Sequence, residues 1–153
     1  MLSKKAKYAL QACLSLADEP AGQPVLIADL AERDAIPKKF LEIILLDLRN
    51  AGILASRKGK GGGYFLARPA ESITVAQIVR LMDGSLAPVP CVSQSSYQAC
   101  ADCKDERTCG IRMVMKDVRD AISGILDNTS LADVQERTRK AKLVPRSDLN
   151  WEI

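Results

Sequence analysis

The amino-acid sequence predicts a mainly α fold with one small β-hairpin, and three observations carry that prediction. Two short helical stripes follow one another across a three-residue link. A basic, glycine-rich turn then separates two short β-prone runs. Beyond position 109 a long apolar stripe recurs at steps of three and four residues. The chain has 153 residues, room for one domain plus an oligomerisation element and enough to bury a core without disulfide staples.

A first helix is predicted over 4–18. Tyr8, Ala9, Ala12, Leu16 and Ala17 recur at helical spacing, and Leu10, Cys13 and Leu14 widen the stripe. Cys13 lies inside it and is expected to act as a small buried hydrophobe. A turn-rich break over 19–24 follows. A second short helix is predicted over 26–33, with Ile27, Leu30 and Ala31 facing inward. The link 34–36 leads to Pro37, which suits a first helical turn because its missing N–H is not needed there. The third helix runs to Asn50, and Gly52 fits its stop. Leu41, Ile44, Leu45 and Leu48 make its core stripe, so Lys38, Lys39, Glu42 and Arg49 point elsewhere. Two short helices joined this way, the second basic at its start, form a helix-turn-helix pattern.

Runs 53–56 and 64–67 flank Arg57, Lys58, Gly59, Lys60, Gly61, Gly62 and Gly63, a hairpin signal. A hairpin directly after a helix-turn-helix is a wing. Its glycines permit positive φ and let the backbone come close to a partner. A nucleotide phosphate loop would need the Gly-x-x-x-x-Gly-Lys-Ser/Thr pattern and a helix opening straight after it, and neither is there. A fourth helix is predicted over 74–82, ending near Gly84, and two prolines at 88 and 90 stiffen the entry to a loop over 91–109.

A long helix follows over 110–127. Ile111, Met115, Val118, Ile122 and Ile125 recur at steps of four and three, a coiled-coil-like seam that a second copy of the chain would cover. The alternative cover is the chain's own head. Val114, Ala121 and Leu126 broaden the stripe. A short last helix over 129–134 precedes a basic segment, from 136 on, expected to be loose or crossing. The organisation predicted is a winged helix-turn-helix DNA-binding domain over 1–84, a cysteine-rich sensor loop over 85–109, a dimerisation helix region over 110–134 and a basic tail over 135–153.

Charge is distributed unevenly. The net charge is +3, yet between Lys38 and Arg68 seven basic residues face only Glu42 and Asp47, so that segment carries +5 and the remainder −2. Positive charge concentrated this way is a footprint for phosphates, with a solvated basic face as the plainer account. No apolar run approaches the roughly 18 residues that span a bilayer. The N-terminus lacks the apolar region and cleavage site of a signal peptide. A cytoplasmic protein with no membrane partner is expected, in a compartment where structural disulfides are rare.

Four of the five cysteines, Cys91, Cys100, Cys103 and Cys109, are crowded into the loop, and the chain has no histidine. Thiolates on flexible loop spacing suit an iron–sulfur cluster, and four of them suffice for a 2Fe–2S centre. They also suit a structural zinc, although only Cys100 and Cys103 are close in sequence. A reversible thiol pair is the third chemistry. A redox enzyme would need a base or nucleotide motif beside these thiols, and none is present. A DNA-compacting protein would be basic and dimeric too, without a symmetric target site.

Several segments carry a family resemblance that spans most of the chain. They are Lys7-Tyr8-Ala9-Leu10, then Ile36-Pro37-Lys38-Lys39-Phe40-Leu41-Glu42, then Leu48-Arg49-Asn50-Ala51-Gly52, and above all Gly61-Gly62-Gly63-Tyr64-Phe65-Leu66 after a basic wing. With a cysteine loop ahead of a long helix, the chain resembles the IscR/NsrR/CymR-type bacterial winged-helix transcriptional regulators, the Rrf family. The resemblance implies a homodimer on a partly palindromic double-stranded operator, more often a repressor, affecting RNA polymerase only through promoter occupancy. It implies that the third helix enters the major groove and the wing the adjacent minor groove.

Lys4, Lys7, Lys38, Lys39 and Arg49 then suit phosphates. Glu42 matches the family's base-reading position and suits cytosine N4. Arg57, Lys58 and Lys60 suit a narrow minor groove. Tyr8, Pro37, Phe40, Gly61, Gly62 and Gly63 complete the implied DNA-binding set. Cluster-holding relatives use three loop cysteines plus one further ligand, and Cys91, Cys103 and Cys109 match by local context. Where relatives can place a histidine one turn into the long helix, this chain has Arg112, which stays protonated and cannot ligate. Either Cys100 completes an all-cysteine site, or the fourth ligand comes from elsewhere, or no cluster is held.

Overall fold

The structure is a computed structural model that describes residues 2–143. Its first helix, α1 (Lys4–Ala17), is capped by Ser3, whose hydroxyl accepts from the Ala6 N–H at 3.0 Å. The Asp83 carboxylate in turn accepts from the Ser3 N–H at 2.9 Å and from its hydroxyl. Ala6, Ala9, Ala12, Cys13 and Leu16 are the buried face. Small side chains there let neighbouring helices approach closely. Burial pushes the Cys13 thiol up to about 12, as expected of a core cysteine.

Helices α2 (Ile27–Arg33) and α3 (Lys38–Asn50) form the helix-turn-helix. Pro37 caps α3 from just outside its first turn. The link holds Ala35 at φ 52, and Ile36 is buried behind it. Asp34 is nearly buried there: it accepts from the Ser15 hydroxyl at 2.6 Å, while its backbone carbonyl accepts from the Gln11 amide at 2.9 Å. Loss of water raises the Asp34 carboxyl above the ordinary carboxylate range, and the Ser15 bond opposes that rise.

The wing is β1 (Leu54–Arg57) paired antiparallel with β2 (Gly63–Leu66), in a register setting Leu54 opposite Leu66 and Arg57 opposite Gly63. Tyr64 also exchanges two 2.9 Å backbone hydrogen bonds with Val25, so the segment before α2 forms a third edge. The glycines answer to this packing. A Cβ on Gly63, which sits at φ 146, would lie 2.2 Å from the Val25 carbonyl oxygen. One on Gly62 would lie 2.3 Å from the Arg57 carbonyl oxygen. At Gly62 and Gly63 the close backbone partner is the chain itself.

Helix α4 (Val75–Asp83) opens with a capping box between Thr74 and Gln77. Helix α5 (Gly110–Asp127) has no buried residue. The chain then returns to the head. The Val75 N–H donates to the Thr129 carbonyl and the Leu131 N–H to the Ile73 carbonyl, both at 2.9 Å. Leu131 is fully buried in one core with Leu30, Leu41, Ile44, Leu45, Leu48, Leu54, Ile73 and Ile78.

The last helix departs from expectation. Helix α6 (Leu131–Leu143) continues well past the short helix predicted over 129–134. Glu136 pairs with Arg139 and Lys140 one turn on, and such pairs favour helix in a polar segment that shows little apolar periodicity. Gln135 donates to Asp18 at 2.7 Å, fastening α6 beside α1. The remainder of the predicted basic tail, 144–153, lies outside the described residues. No described helix is long and apolar enough to cross a membrane.

Two substitutions read this packing in thermal melts. Gly63→Ala should cost about 1–3 kcal/mol, a fall of roughly 3–10 °C, because the Val25 backbone must move. Leu131→Ala should cost about 2–5 kcal/mol, the range of a truncated core leucine, although it lies beyond the long helix. A melt unchanged by Leu131→Ala would mean that the return segment does not close the core.

Candidate functional site

Helix α3 turns one face to the core through Leu41, Ile44, Leu45 and Leu48. Lys38, Lys39, Glu42 and Arg49 are exposed on the rest of it, and Pro37 is exposed at its cap. Lys4 and Lys7 are exposed on α1, and Arg57, Lys58, Lys60 and Gly61 on the wing. None of these charged groups, Glu42 included, is in an ion pair among the described residues. Asp47, the other acid of the basic segment, is engaged by Lys5 at 2.8 Å. The cations of this face are therefore free to meet phosphates, and Glu42 is not occupied by neighbouring lysines. Tyr8 and Phe40 are half-buried, stacked edge to face with ring centres 5.8 Å apart, and Gly62 is buried in the wing. Arg68 turns inward, donating to the Ser72 carbonyl at 2.6 Å and to Gln77 at 3.0 Å.

Two residues of this face escaped the sequence reading. Ile43 and Leu46 are 54% and 42% exposed. The signal for them was the helical period: with the core stripe at 41, 44, 45 and 48, positions 43 and 46 fall opposite it.

The second assembly is the loop between α4 and α5. Cys91, Cys100, Cys103 and Cys109 all line one open recess of about 610 Å³, together with Asp102, Asp105, Glu106 and Arg112. The thiols are free. Cys91 sits in a 3-10 turn, Pro90–Val92, and Cys109 caps α5. The Cys103 N–H donates to the Cys100 carbonyl at 3.3 Å, a tight turn that sets these two together. Loss of water raises the Cys103 thiol above its ordinary value, and the neighbouring Cys109 thiol adds to the rise. Among the described residues no three acidic or thiol side chains converge closely enough to hold a metal ion.

Arg112 occupies the recess wall one turn into α5. Its Nε is buried without a hydrogen-bond partner and stands 3.6 Å from a Glu106 oxygen, an ion pair too long to be a hydrogen bond. The Tyr97 hydroxyl donates to the same carboxylate, which raises the phenol above its ordinary value. The Arg119 guanidinium donates to the Val92 carbonyl at 2.7 Å, tying α5 to the turn that carries Cys91. Arg80 grips Asp127 through both carboxylate oxygens, tying α4 to the far end of α5. That grip holds the Asp127 carboxyl below its ordinary range.

The apolar stripe of α5 divides into two flanks. Ile111, Val118 and Ile125 are exposed, at 73%, 38% and 61%, beside Val114 at 56% and Ala121. Met115 and Ile122 are half-buried, on the flank shared with Arg112, Arg119 and Leu126. The two flanks are neighbouring rows of one helix, which sequence spacing alone merges into a single seam.

Known proteins resemble this chain over most of its length. A family model described as Rrf2, iron-dependent transcriptional regulator, matches residues 2–137. An rrf2-like HTH-type transcriptional regulator of Rhodobacter capsulatus is 44% identical over 88% of this chain and 91% of its own length. The HTH-type transcriptional regulator IscR of Vibrio campbellii is 31% identical over 99% of this chain and 87% of its own. Among solved structures, CymR, the global cysteine regulator of B. subtilis, superposes with a TM-score of 0.74 at 28% identity, covering 90% of this chain and 97% of that one.

A brief pulse of iodoacetamide on the metal-free chain, followed by peptide mass spectrometry, should label exposed Cys100 first and buried Cys13 last. Cys13 labelling as fast as Cys100 would mean that the α1 face is open in solution.

Proposed function

The chain belongs to the Rrf2 family of transcriptional regulators, and from that premise we propose that it is a cytoplasmic homodimer repressing transcription from a partly palindromic operator, with DNA binding set by an iron–sulfur cluster on its loop thiols. It is a regulator rather than an enzyme, as are the relatives it matches. The observation that carries the cluster is the gathering of four soft thiol donors on one recess. The donor chemistry suits a 2Fe–2S centre: Cys91, Cys103 and Cys109 would hold it with Cys100 as the fourth ligand once the loop draws in the thiols, no three of which converge on one point in this structure, and the centre would supply one-electron redox chemistry. Arg112 is a cation against the recess and no ligand.

On the DNA side, Lys38, Lys39 and Arg49 on α3, with Lys4 and Lys7 on α1, take phosphates. Glu42 reads a base edge, and Arg57, Lys58 and Lys60 follow the minor groove, with Gly61 allowing the wing tip to come near. Tyr8, Phe40, Pro37, Gly62 and Gly63 shape and support that face. The exposed row Ile111, Val118 and Ile125 meets a second copy, with Met115 and Ile122 behind it. RNA polymerase is affected only through promoter occupancy. Reordering of the loop shifts α5, and with it the spacing of two α3 helices about 34–36 Å apart on successive turns of DNA.

A second reading has its own support. Cys103 and Cys109 are free thiols on the same recess, so oxidation to a disulfide is the alternative signal. A structural zinc on the same thiols is the third.

Anaerobic purification with an absorption spectrum and iron, sulfide and zinc assays separates these readings. A brown chain with matched iron and sulfide supports the cluster. One zinc per colourless chain makes the loop structural. A colourless, metal-free chain after attempted reconstitution leaves the thiol pair. With the cluster present, Cys91→Ala, Cys103→Ala and Cys109→Ala should each shift operator affinity by about 5–150-fold, the usual span of coupled sites. Equal affinity and sequence preference in all forms would sink the coupling. Lys39→Ala should weaken binding to every duplex and lower the salt slope by about one.

A further inference from the structure

We infer that Ile43 and Leu46 read thymine: their side chains seat on the 5-methyl groups of A·T pairs in the major groove and so set part of the operator sequence. This rests on the proposal that α3 enters that groove. The helical period places Lys39, Ile43, Leu46 and Asn50 at i, i+4, i+7 and i+11, the outermost ridge of α3, opposite the buried Leu41, Ile44, Leu45 and Leu48. At the middle of that ridge stand two large aliphatic side chains, 54% and 42% exposed.

Scattered surface leucines need no account. This pair is different in its company. One turn apart on one ridge, it is bounded by Lys39 and Asn50 at the ends and by Lys38, Glu42 and Arg49 along one side. A protein partner would ask for a broad apolar patch, whereas here two aliphatic groups are set within cations that carry no ion pair among the described residues. The major groove has the matching pattern: phosphates at its edges, base-edge donors and acceptors on its floor, and the thymine methyl as its apolar group. Glu42 then discriminates through a hydrogen bond, while Ile43 and Leu46 discriminate by shape and loss of water.

The test uses the full-length chain and a duplex that it enriches from a random library. That duplex is resynthesised with deoxyuridine in place of thymine, one position at a time, which removes the methyl and keeps the base pairing. At one or two positions per half-site the wild type should lose about fourfold in affinity, the value of one buried methyl. Ile43→Ala should bind the thymine and deoxyuridine duplexes equally, Ile43→Leu should keep most of the difference, and the thermal melts of both should match the wild type.

Deoxyuridine tolerated everywhere by the wild type, with DNA binding intact, overturns the inference and leaves the operator reading standing. No enriched duplex at all overturns both. Ile43→Ala changing the oligomeric state, with thymine sensitivity intact, puts a second copy of the chain on the ridge and overturns the inference.

Discussion

Two backbone hydrogen bonds, Val75 to Thr129 and Leu131 to Ile73, close everything between them into one pinned excursion. Helix α4, the cysteine loop and α5 leave the head and come back to the same point. Leu131 then inserts into the core that orients α3, so both ends of the excursion are anchored in the helix-turn-helix. A segment fixed at its base cannot absorb a change in the loop by drifting. Any reordering must act on α4, on α5 or on the contacts between them. Two polar contacts hold α5: Arg80 of α4 on Asp127 at its C-terminal end, and Arg119 at its middle on the Val92 carbonyl of the loop. The Arg80–Asp127 pair is exposed, and such pairs are individually weak, about 0–1 kcal/mol.

The head is rigid for a different reason. Its wing is locked by main chain against main chain, with Tyr64 bonded to Val25 and glycine at the two positions where a Cβ would collide. The cations at the wing tip therefore stand on a fixed support, and their spacing from the cations of α3 is set by the fold. Charge attracts phosphates without choosing among sequences. On the proposed reading, choice falls to Glu42 and to the outer ridge of α3 beside it, where Ile43 and Leu46 stand exposed among cations that carry no ion pair among the described residues.

Much of this was legible beforehand because periodicity and turn chemistry are local properties. The helix-turn-helix, the hairpin and the long helix appear near their predicted positions, and Cys13 is buried as its place in the α1 stripe implied. What was not legible depended on contacts distant in sequence. The extent of α6 is one case: its segment is polar, supported by Glu136 pairs and by packing beside α1, which sequence periodicity does not report. The split of the α5 stripe is another, since which flank turns to the chain's own loop depends on where Arg119 finds a carbonyl.

The glycines and the cysteines mark the boundary between what sequence and fold each determined. Sequence by itself determined that the wing turn needed unusual backbone freedom, that the basic charge gathers on one segment and that four thiols belong to one loop, because residue type and spacing are enough for each. Only the tertiary structure decided that Gly63 yields to Val25, that Glu42 has no neighbouring lysine to occupy it, that Ile43 and Leu46 face outward and that all four thiols open on one recess beside Arg112. These are relations between segments tens of residues apart, set by the close packing of the core, and no local pattern encodes them.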